Sequence, residues 1–421
     1  MNNAILVVID RGDKDWAQYQ LNELHNLAVS SDFNVVYETI VRLKRIVPST
    51  YIGKGKTQEL ASIAKNLSAQ HLIFNNELTG SQWKNIEDVT KCSVLDRTSL
   101  ILHMFAEKAR TKTAMIQVKM AQMEYFLPRL VGLRESLWNQ QGGSGFRGPG
   151  ETKLELDRRK IIKERSKLRK QLREIAKIRQ QQKKKRRNAN IPNIAIVGYT
   201  NAGKSTLMNV LLQQHKTNKS KAVLEENKLF ATLDTATRKI QLTPYHTCLV
   251  TDTVGFVSNL PHHLVESFKS TLEEVIDADY LLHVVDSSNP FCEQQIETTN
   301  ETLKDIGAKN IPMLYIYNKI DLVEEKPINK HFPSVNISLK NQHDIPKLIT
   351  FITSLIYPER ELVRLLIPHN KSNILSEINR NYEVIQTKYE ENGIYIDALL
   401  TQKQKFQYQS FIITKEKSGA M

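Results

Sequence analysis

The apolar positions of this chain alternate between short continuous runs and helical stripes. Residues 4–9 (Ala-Ile-Leu-Val-Val-Ile) and 33–41 are apolar and rich in β-branched side chains, the composition of buried strands. Between them, Trp16, Leu21, Leu24 and Leu27 recur at helical spacing, which predicts a helix from Asp15 to Ser30 and a βαβ opening. Gly53 and Gly55 then precede a helical pattern through Leu60, Ile63 and Leu67, followed by a strand at 71–74. A small α/β unit over about residues 1–105 results. The glycine pair could turn backbone N–H groups toward a phosphate, but it serves equally as a plain strand-to-helix turn.

The pattern next lengthens. From Thr113 to Leu130, Met115, Ile116, Met120, Met123, Phe126, Leu127 and Leu130 predict a helix with a packed apolar stripe. A second helix is predicted from Lys153 to about Gln182, with Leu154, Ile161, Leu168 and Ile175 at intervals of seven. The two should pair as an antiparallel hairpin. Between them, Gly142-Gly-Ser-Gly-Phe-Arg-Gly-Pro-Gly150 has a composition incompatible with a helix, and it should order only when something binds it. A basic linker at 183–187 leads to Ile191-Pro192.

Strands alternate with helices again from Asn193 to about Tyr357, with buried-strand candidates at 193–197, 248–251, 280–285 and 313–317. The tail beyond Pro358 carries strand candidates at 362–367, 383–388 and 394–399. The expected fold class is α/β. A P-loop domain with a parallel sheet (191–357) is preceded by a small α/β domain (1–110) with a helical hairpin (111–190). A small α+β domain (358–421) follows.

Composition narrows the function classes. With 40% hydrophobic and 25% charged residues, and no apolar run near the ~20 residues of a membrane helix, stable membrane insertion is not expected. The opening Met-Asn-Asn-Ala-Ile-Leu-Val-Val-Ile-Asp lacks a basic n-region, so a cytoplasmic protein is expected, with peripheral membrane contact left open. Cys92, Cys248 and Cys292 lack metal-ligand or disulfide spacing and read as reduced residues. The net charge of +14 is concentrated: residues 153–187 hold 17 Lys and Arg against four acids, while the remainder holds 42 basic and 41 acidic groups. A polyanion contact is the functional reading of that segment, a solvated helix face the plain one.

Three motifs in order carry the chemistry. Gly198-Tyr199-Thr200-Asn201-Ala202-Gly203-Lys204-Ser205 matches GxxxxGK[ST] between a strand and a helix. Its glycines let backbone N–H groups close around phosphates, Lys204 brings charge to the β and γ positions, and the Ser205 hydroxyl can ligate Mg²⁺. Asp252-Thr253-Val254-Gly255 ends the strand at 248–251 and suits a sensor, its carboxylate holding Mg²⁺ through water and the Gly255 N–H meeting the γ-phosphate. Asn318-Lys319-Ile320-Asp321 follows the strand at 313–317, where the Asp carboxylate can accept two hydrogen bonds from guanine, a pattern that adenine does not offer. Together they imply GTP as substrate with Mg²⁺ as cofactor. In Phe230-Ala231-Thr232-Leu233-Asp234, Thr232 is the candidate second Mg²⁺ ligand, and with Lys204 and Gly255 it makes the expected catalytic set. Phe256 stands where many GTPases carry a water-orienting glutamine, so turnover should be slow until a partner completes the site.

On these residues, and on the run from Gly142 to Arg159, the chain resembles the HflX family of translation-associated GTPases over essentially its whole length. The resemblance implies binding to the large ribosomal subunit and its rRNA, and separation of stalled or idle ribosomes into subunits. It also implies a GTP/GDP cycle and a monomer away from the ribosome. It adds a guanine-contacting loop at Ser338-Leu339-Lys340, where this chain departs from the family's usual Ser-Ala pair. The basic segment then becomes an rRNA contact, with Arg158, Arg159, Lys163 and Arg169 on phosphates and Arg147 at the glycine-rich tip. Two other readings stay open: a regulatory GTP switch acting on a protein effector, and an RNA-remodelling NTPase with a second nucleotide site in the N-terminal domain.

Overall fold

The computed structural model describes residues 2–140, 149–187, 191–213, 236–243, 246–253, 255–256, 274–324, 330–357 and 361–413. β1 (Asn2–Asp10), β2 (Phe33–Arg42), β3 (His71–Phe74) and β4 (Ser93–Asp96) form a parallel sheet in the order β2-β1-β3-β4. α1 (Lys14–Ser30), α2 (Lys54–Asn66), α3 (Gly80–Thr90) and α4 (Arg97–Lys108) cover it. β1 is apolar from Ala4 to Ile9 because both of its faces are buried there. Ala4, Leu6 and Val8 pack into the cluster shared with α1 and α4, while Ile5, Val7 and Ile9 pack into the cluster with α2. The Asp13 carboxylate caps α1 by accepting the Trp16 N–H at 2.9 Å. The turn at Gly53 (φ 85°) is closed by Thr57, whose N–H and hydroxyl both bond the Gly53 carbonyl; this is an ordinary helix start.

α5 (Lys112–Gln140) and α6 (Pro149–Arg187) fold back on each other, with Lys119 paired to Glu164. Both outrun the expected lengths. α6 begins inside the glycine-rich run, where Pro149 suits a first helical turn, and continues through the basic stretch expected as a linker. Lys and Arg are good helix formers, so a basic cluster does not end a helix. The buried face of α5 also differs from the expected stripe. Ile116 and Met120 are buried, but Met115 and Phe126 are exposed, and Ala114, Gln117, Val118, Ala121 and Tyr125 complete the packed side.

The central sheet runs β10-β9-β8-β5-β7-β6. It comprises β5 (Asn193–Gly198), β6 (Ala236–Thr243), β7 (His246–Asp252), β8 (Tyr280–Asp286), β9 (Met313–Asn318) and β10 (Ser334–Asn336). All neighbours are parallel except the edge strand β6. α7 (Lys204–Gln213), α8 (Cys292–Asp305) and α9 (Ile345–Ile356) pack on it. Last come three antiparallel strands, β11 (Glu361–Ile367), β13 (Gly393–Leu400) and β12 (Glu383–Glu390), with α10 (Ser372–Asn381) and α11 (Gln402–Gln407). The chain is α/β, with the first two sheets parallel-dominated and the last antiparallel. Among the described residues no helix is long and apolar enough to cross a membrane.

Candidate nucleotide site

The motifs converge at the carboxyl ends of β5, β7 and β9, along one edge of the central sheet, where open α/β sheets place their ligands. β5 ends on Gly198 at φ 141°, and a Cβ there would lie 2.3 Å from the Val284 carbonyl oxygen of β8, so glycine is required. The chain turns through Asn201 (φ 62°) and Gly203 (φ 105°) into the first turn of α7, where the N–H groups of a helix start lack intrahelical acceptors and suit an anion. A Cβ on Gly203 would lie 2.4 Å from the Asn318 side-chain nitrogen, so this loop and the Asn318 motif are fitted to each other.

Lys204 is buried at 7% exposure, and its Nζ donates to the Tyr199 carbonyl at 2.6 Å. Desolvation pushes its pKa down to about 8, against the opposing pull of Asp252. The Ser205 hydroxyl donates to Asp252 Oδ2 at 3.3 Å. A hydroxyl and a carboxylate brought together at the foot of a phosphate loop are hard oxygen donors, and that set fits Mg²⁺. Gly255 sits against the loop: a Cβ on it would be 2.8 Å from Lys204 Nζ and 3.0 Å from Thr200 Cα. Beyond it, the Phe256 N–H donates to the Gly198 carbonyl at 3.1 Å and the Thr200 N–H to the Phe256 carbonyl at 2.8 Å. The Phe256 ring is buried with Ala195, Val197 and Val275.

On the other side, Asn318 is a clamp. Its Nδ2 donates to the Ala202 carbonyl at 2.9 Å and its Oδ1 accepts the Leu339 N–H at 3.0 Å. Lys319 (φ 64°) pairs with Asp286 at 2.6 Å, and Asp321 is exposed in the short helical turn that follows. The Ser338 N–H is held by Asp344 at 2.8 Å, and Leu339, the departure from the family pattern, is buried against the loop glycine. The structure therefore brings together Gly198 to Ser205, Asp252, Thr253, Gly255, Asn318 to Asp321 and Ser338 to Lys340. Phe230 to Asp234, with Thr232 among them, and Val254 and Arg147 lie outside the described residues. Arg158, Arg159, Lys163 and Arg169 are exposed on α6.

Matches to family models span most of the chain. Residues 18–106 match GTP-binding GTPase N-terminal, 108–186 match GTP-binding GTPase Middle Region, and 193–319 match 50S ribosome-binding GTPase. GTPase HflX of Caldanaerobacter subterraneus is 44% identical over 411 residues, covering 98% of this chain and 94% of that protein. The chain belongs to the HflX family. The Escherichia coli HflX is 35% identical over 387 residues, covering 90% of this chain and 89% of that protein. A GTP-binding protein of the archaeon Sulfolobus solfataricus, solved with GDP, aligns with 85% of this chain and 99% of its own at 24% identity and a TM-score of 0.45. As an HflX GTPase the protein hydrolyses GTP to GDP and phosphate.

Sequence reasoning missed where Tyr199 points. Its ring leaves the nucleotide site and lies in the core of the N-terminal α/β unit, and its hydroxyl donates to Glu23 of α1. Glu23 in turn pairs with Arg97 at 2.8 Å, and both are buried. A bulky phenol amid the small and polar residues of a phosphate loop was the available signal.

Proposed function

We propose that this HflX GTPase binds the large ribosomal subunit through its basic hairpin and, when loaded with GTP, separates stalled or idle ribosomes into subunits. The observation that carries this reading is the exposed basic face of α6, where Arg158, Arg159, Lys163 and Arg169 project from a helix attached to a nucleotide switch. Nearly the whole net charge of +14 lies in this segment, and rRNA phosphates are its natural counterpart. The description of the model matched by residues 193–319 supports it. In this reading residues 1–110, 111–190, 191–357 and 358–421 act as four units, and the protein is a monomer away from the ribosome.

The site chemistry follows from the residues. The first turn of α7 offers N–H groups to the phosphates, and Lys204 regains on them the charge stabilisation that burial removes. Asp321 accepts the guanine N1–H and 2-amino group, while Asn318 holds the base loop against the phosphate loop. Ser205 and Thr232 would hold Mg²⁺, with Asp252 acting through water. The ion, when bound, neutralises phosphate charge. The Gly255 N–H reads the γ-phosphate. The buried ring of Phe256 cannot position a water molecule, so fast turnover waits for a group supplied by the ribosome. Phosphate release measured with and without purified large subunits tests this. Marked stimulation is expected, and equal rates would refute a ribosomal partner that completes the site.

A further inference from the structure

We propose that Tyr199 is a positioning residue that ties the phosphate loop to the root of the helical hairpin through Glu23, Arg97 and Asp96. Its backbone belongs to the nucleotide site. The Tyr199 carbonyl holds Lys204 Nζ at 2.6 Å, and both neighbouring residues are stitched to Phe256 by the bonds from Phe256 N–H to Gly198 and from Thr200 N–H to Phe256. Its side chain belongs to the N-terminal unit, where the phenol donates to Glu23.

From Glu23 the connection continues through buried groups. Glu23 Oε2 takes Arg97 Nη2 at 2.8 Å, and Arg97 Nη1 donates to Asn75 Oδ1 at 2.8 Å. The adjoining residue, Asp96, is fully buried and faces the hairpin. Its Oδ1 accepts the Ser99 N–H at 2.8 Å and also the Tyr125 hydroxyl, and its Oδ2 accepts the Leu78 N–H at 3.2 Å and Arg129 Nη2 at 3.2 Å. Tyr125 and Arg129 sit on α5, the first helix of the hairpin, with the Arg129 guanidinium 3.4 Å over the Tyr125 ring. Two consecutive buried residues of opposite charge thus serve opposite clients: Arg97 the phosphate loop, Asp96 the hairpin.

A second contact fixes α1 on the GTPase domain. Tyr19 packs on Phe291 with ring centroids 4.8 Å apart and accepts the Gln295 side-chain N–H at 2.7 Å. With α1 held there, a change at Tyr199 is delivered to Glu23 rather than absorbed by a loose interface. Buried, close-packed ionic groups move between discrete arrangements, because each partner given up must be replaced. The bonds to Phe256 place Tyr199 next to the segment that senses the γ-phosphate. Gly255 binding that phosphate shifts Phe256, and Tyr199 follows. Linkage makes the effect reciprocal: an orientation of the hairpin imposed from outside alters the phosphate loop. This wiring is independent of which macromolecule the hairpin meets.

Amide hydrogen exchange on the full chain tests it without ribosomes. Exchange of residues 112–129 is compared in the presence of saturating GDP and of a saturating non-hydrolysable GTP analogue, with occupancy checked by fluorescent-nucleotide titration. The parent should show at least a fivefold difference in protection between the two states, the lower end of ordinary coupling. Glu23→Gln and Tyr199→Phe should each reduce it below about twofold, while residues 345–356 exchange as in the parent. Glu23→Gln takes the Glu23 charge away from Arg97, so Tyr199→Phe, which keeps the Glu23–Arg97 pair, decides the matter where the first variant does not fold. Identical protection in the two nucleotide states of the parent, or an undiminished difference in Tyr199→Phe, would overturn the proposal and reduce the network to static packing between domains.

Discussion

Truncating Asn318 to alanine should damage both the nucleotide-free fold of the GTPase unit and its affinity for GTP. The Asn318 carboxamide is 4% exposed and makes one bond to each of two loops, donating to the Ala202 carbonyl and accepting the Leu339 N–H. Alanine leaves a buried acceptor and a buried donor without partners. At about 1–3 kcal/mol for each orphaned group, the loss is about 2–6 kcal/mol. Against a total stability of about 5–15 kcal/mol for a domain, that is a large fraction. In a unit of this size about 2–4 °C of melting temperature accompanies each kcal/mol, so a drop of at least about 4 °C is expected. In the proposed site the same two loops wall the phosphate and base pockets, and having to order them on binding should weaken GTP by at least about tenfold, equivalent to about 1.4 kcal/mol. Asn318→Asp supplies the contrast: it keeps an acceptor for Leu339 but sets a carboxylate oxygen against the Ala202 carbonyl. Calorimetry without nucleotide and titration with a fluorescent GTP analogue read the two effects. An alanine variant that melts within about 1 °C of the parent and binds GTP equally well would refute the clamp.

The exposed Asp321 carboxylate makes Asp321→Asn a test of base choice: GTP should weaken and xanthosine nucleotides gain entry, because an amide inverts the pattern facing the base edge. Competition binding that still prefers GTP would contradict it. Lys204, charged below about pH 8 in the free site and held charged by phosphates in the complex, should take up protons on GTP binding above that pH, so affinity falls as pH rises through it. Titration calorimetry in buffers of different ionisation enthalpy reports this directly, and no uptake at about pH 9 would contradict it. Neutralising Arg158, Arg159, Lys163 and Arg169 together should flatten the dependence of log K on log salt for ribosome binding by up to about 3–4 units and leave GTP affinity nearly unchanged; equal slopes would make the segment an ordinary solvated face.

The longer buried parallel strands were legible because they are continuous apolar runs: Asn193–Gly198, Tyr280–Asp286 and Met313–Asn318 lie within a residue or two of where the pattern places them, whereas Ser93–Asp96 and Ser334–Asn336, four and three residues long, were too short to show a pattern. The tail strands were equally plain. The edge strand Ala236–Thr243 was not, since one solvated face dilutes its apolar content and its partner is antiparallel. α6 ran on through the basic cluster because charge does not terminate a helix, and α5 buried Ala114, Ala121 and Tyr125 in preference to Met115 and Phe126 because tertiary packing chose the face. Motif spacing placed the phosphate loop and the Asn318 motif each at the carboxyl end of a strand of one sheet. It could not show that Tyr199 turns out of the loop into another unit, because no local pattern encodes a contact with Glu23, far away along the chain.

Sucrose-gradient sedimentation of purified ribosomes mixed with the protein and GDP, GTP or a non-hydrolysable GTP analogue measures subunit separation directly. A GTP-driven splitting role requires that intact ribosomes are converted to subunits with GTP or the analogue and left whole with GDP, the protein migrating with the large subunit. Gradients that are identical in all three nucleotides, with the protein remaining at the top, would contradict it.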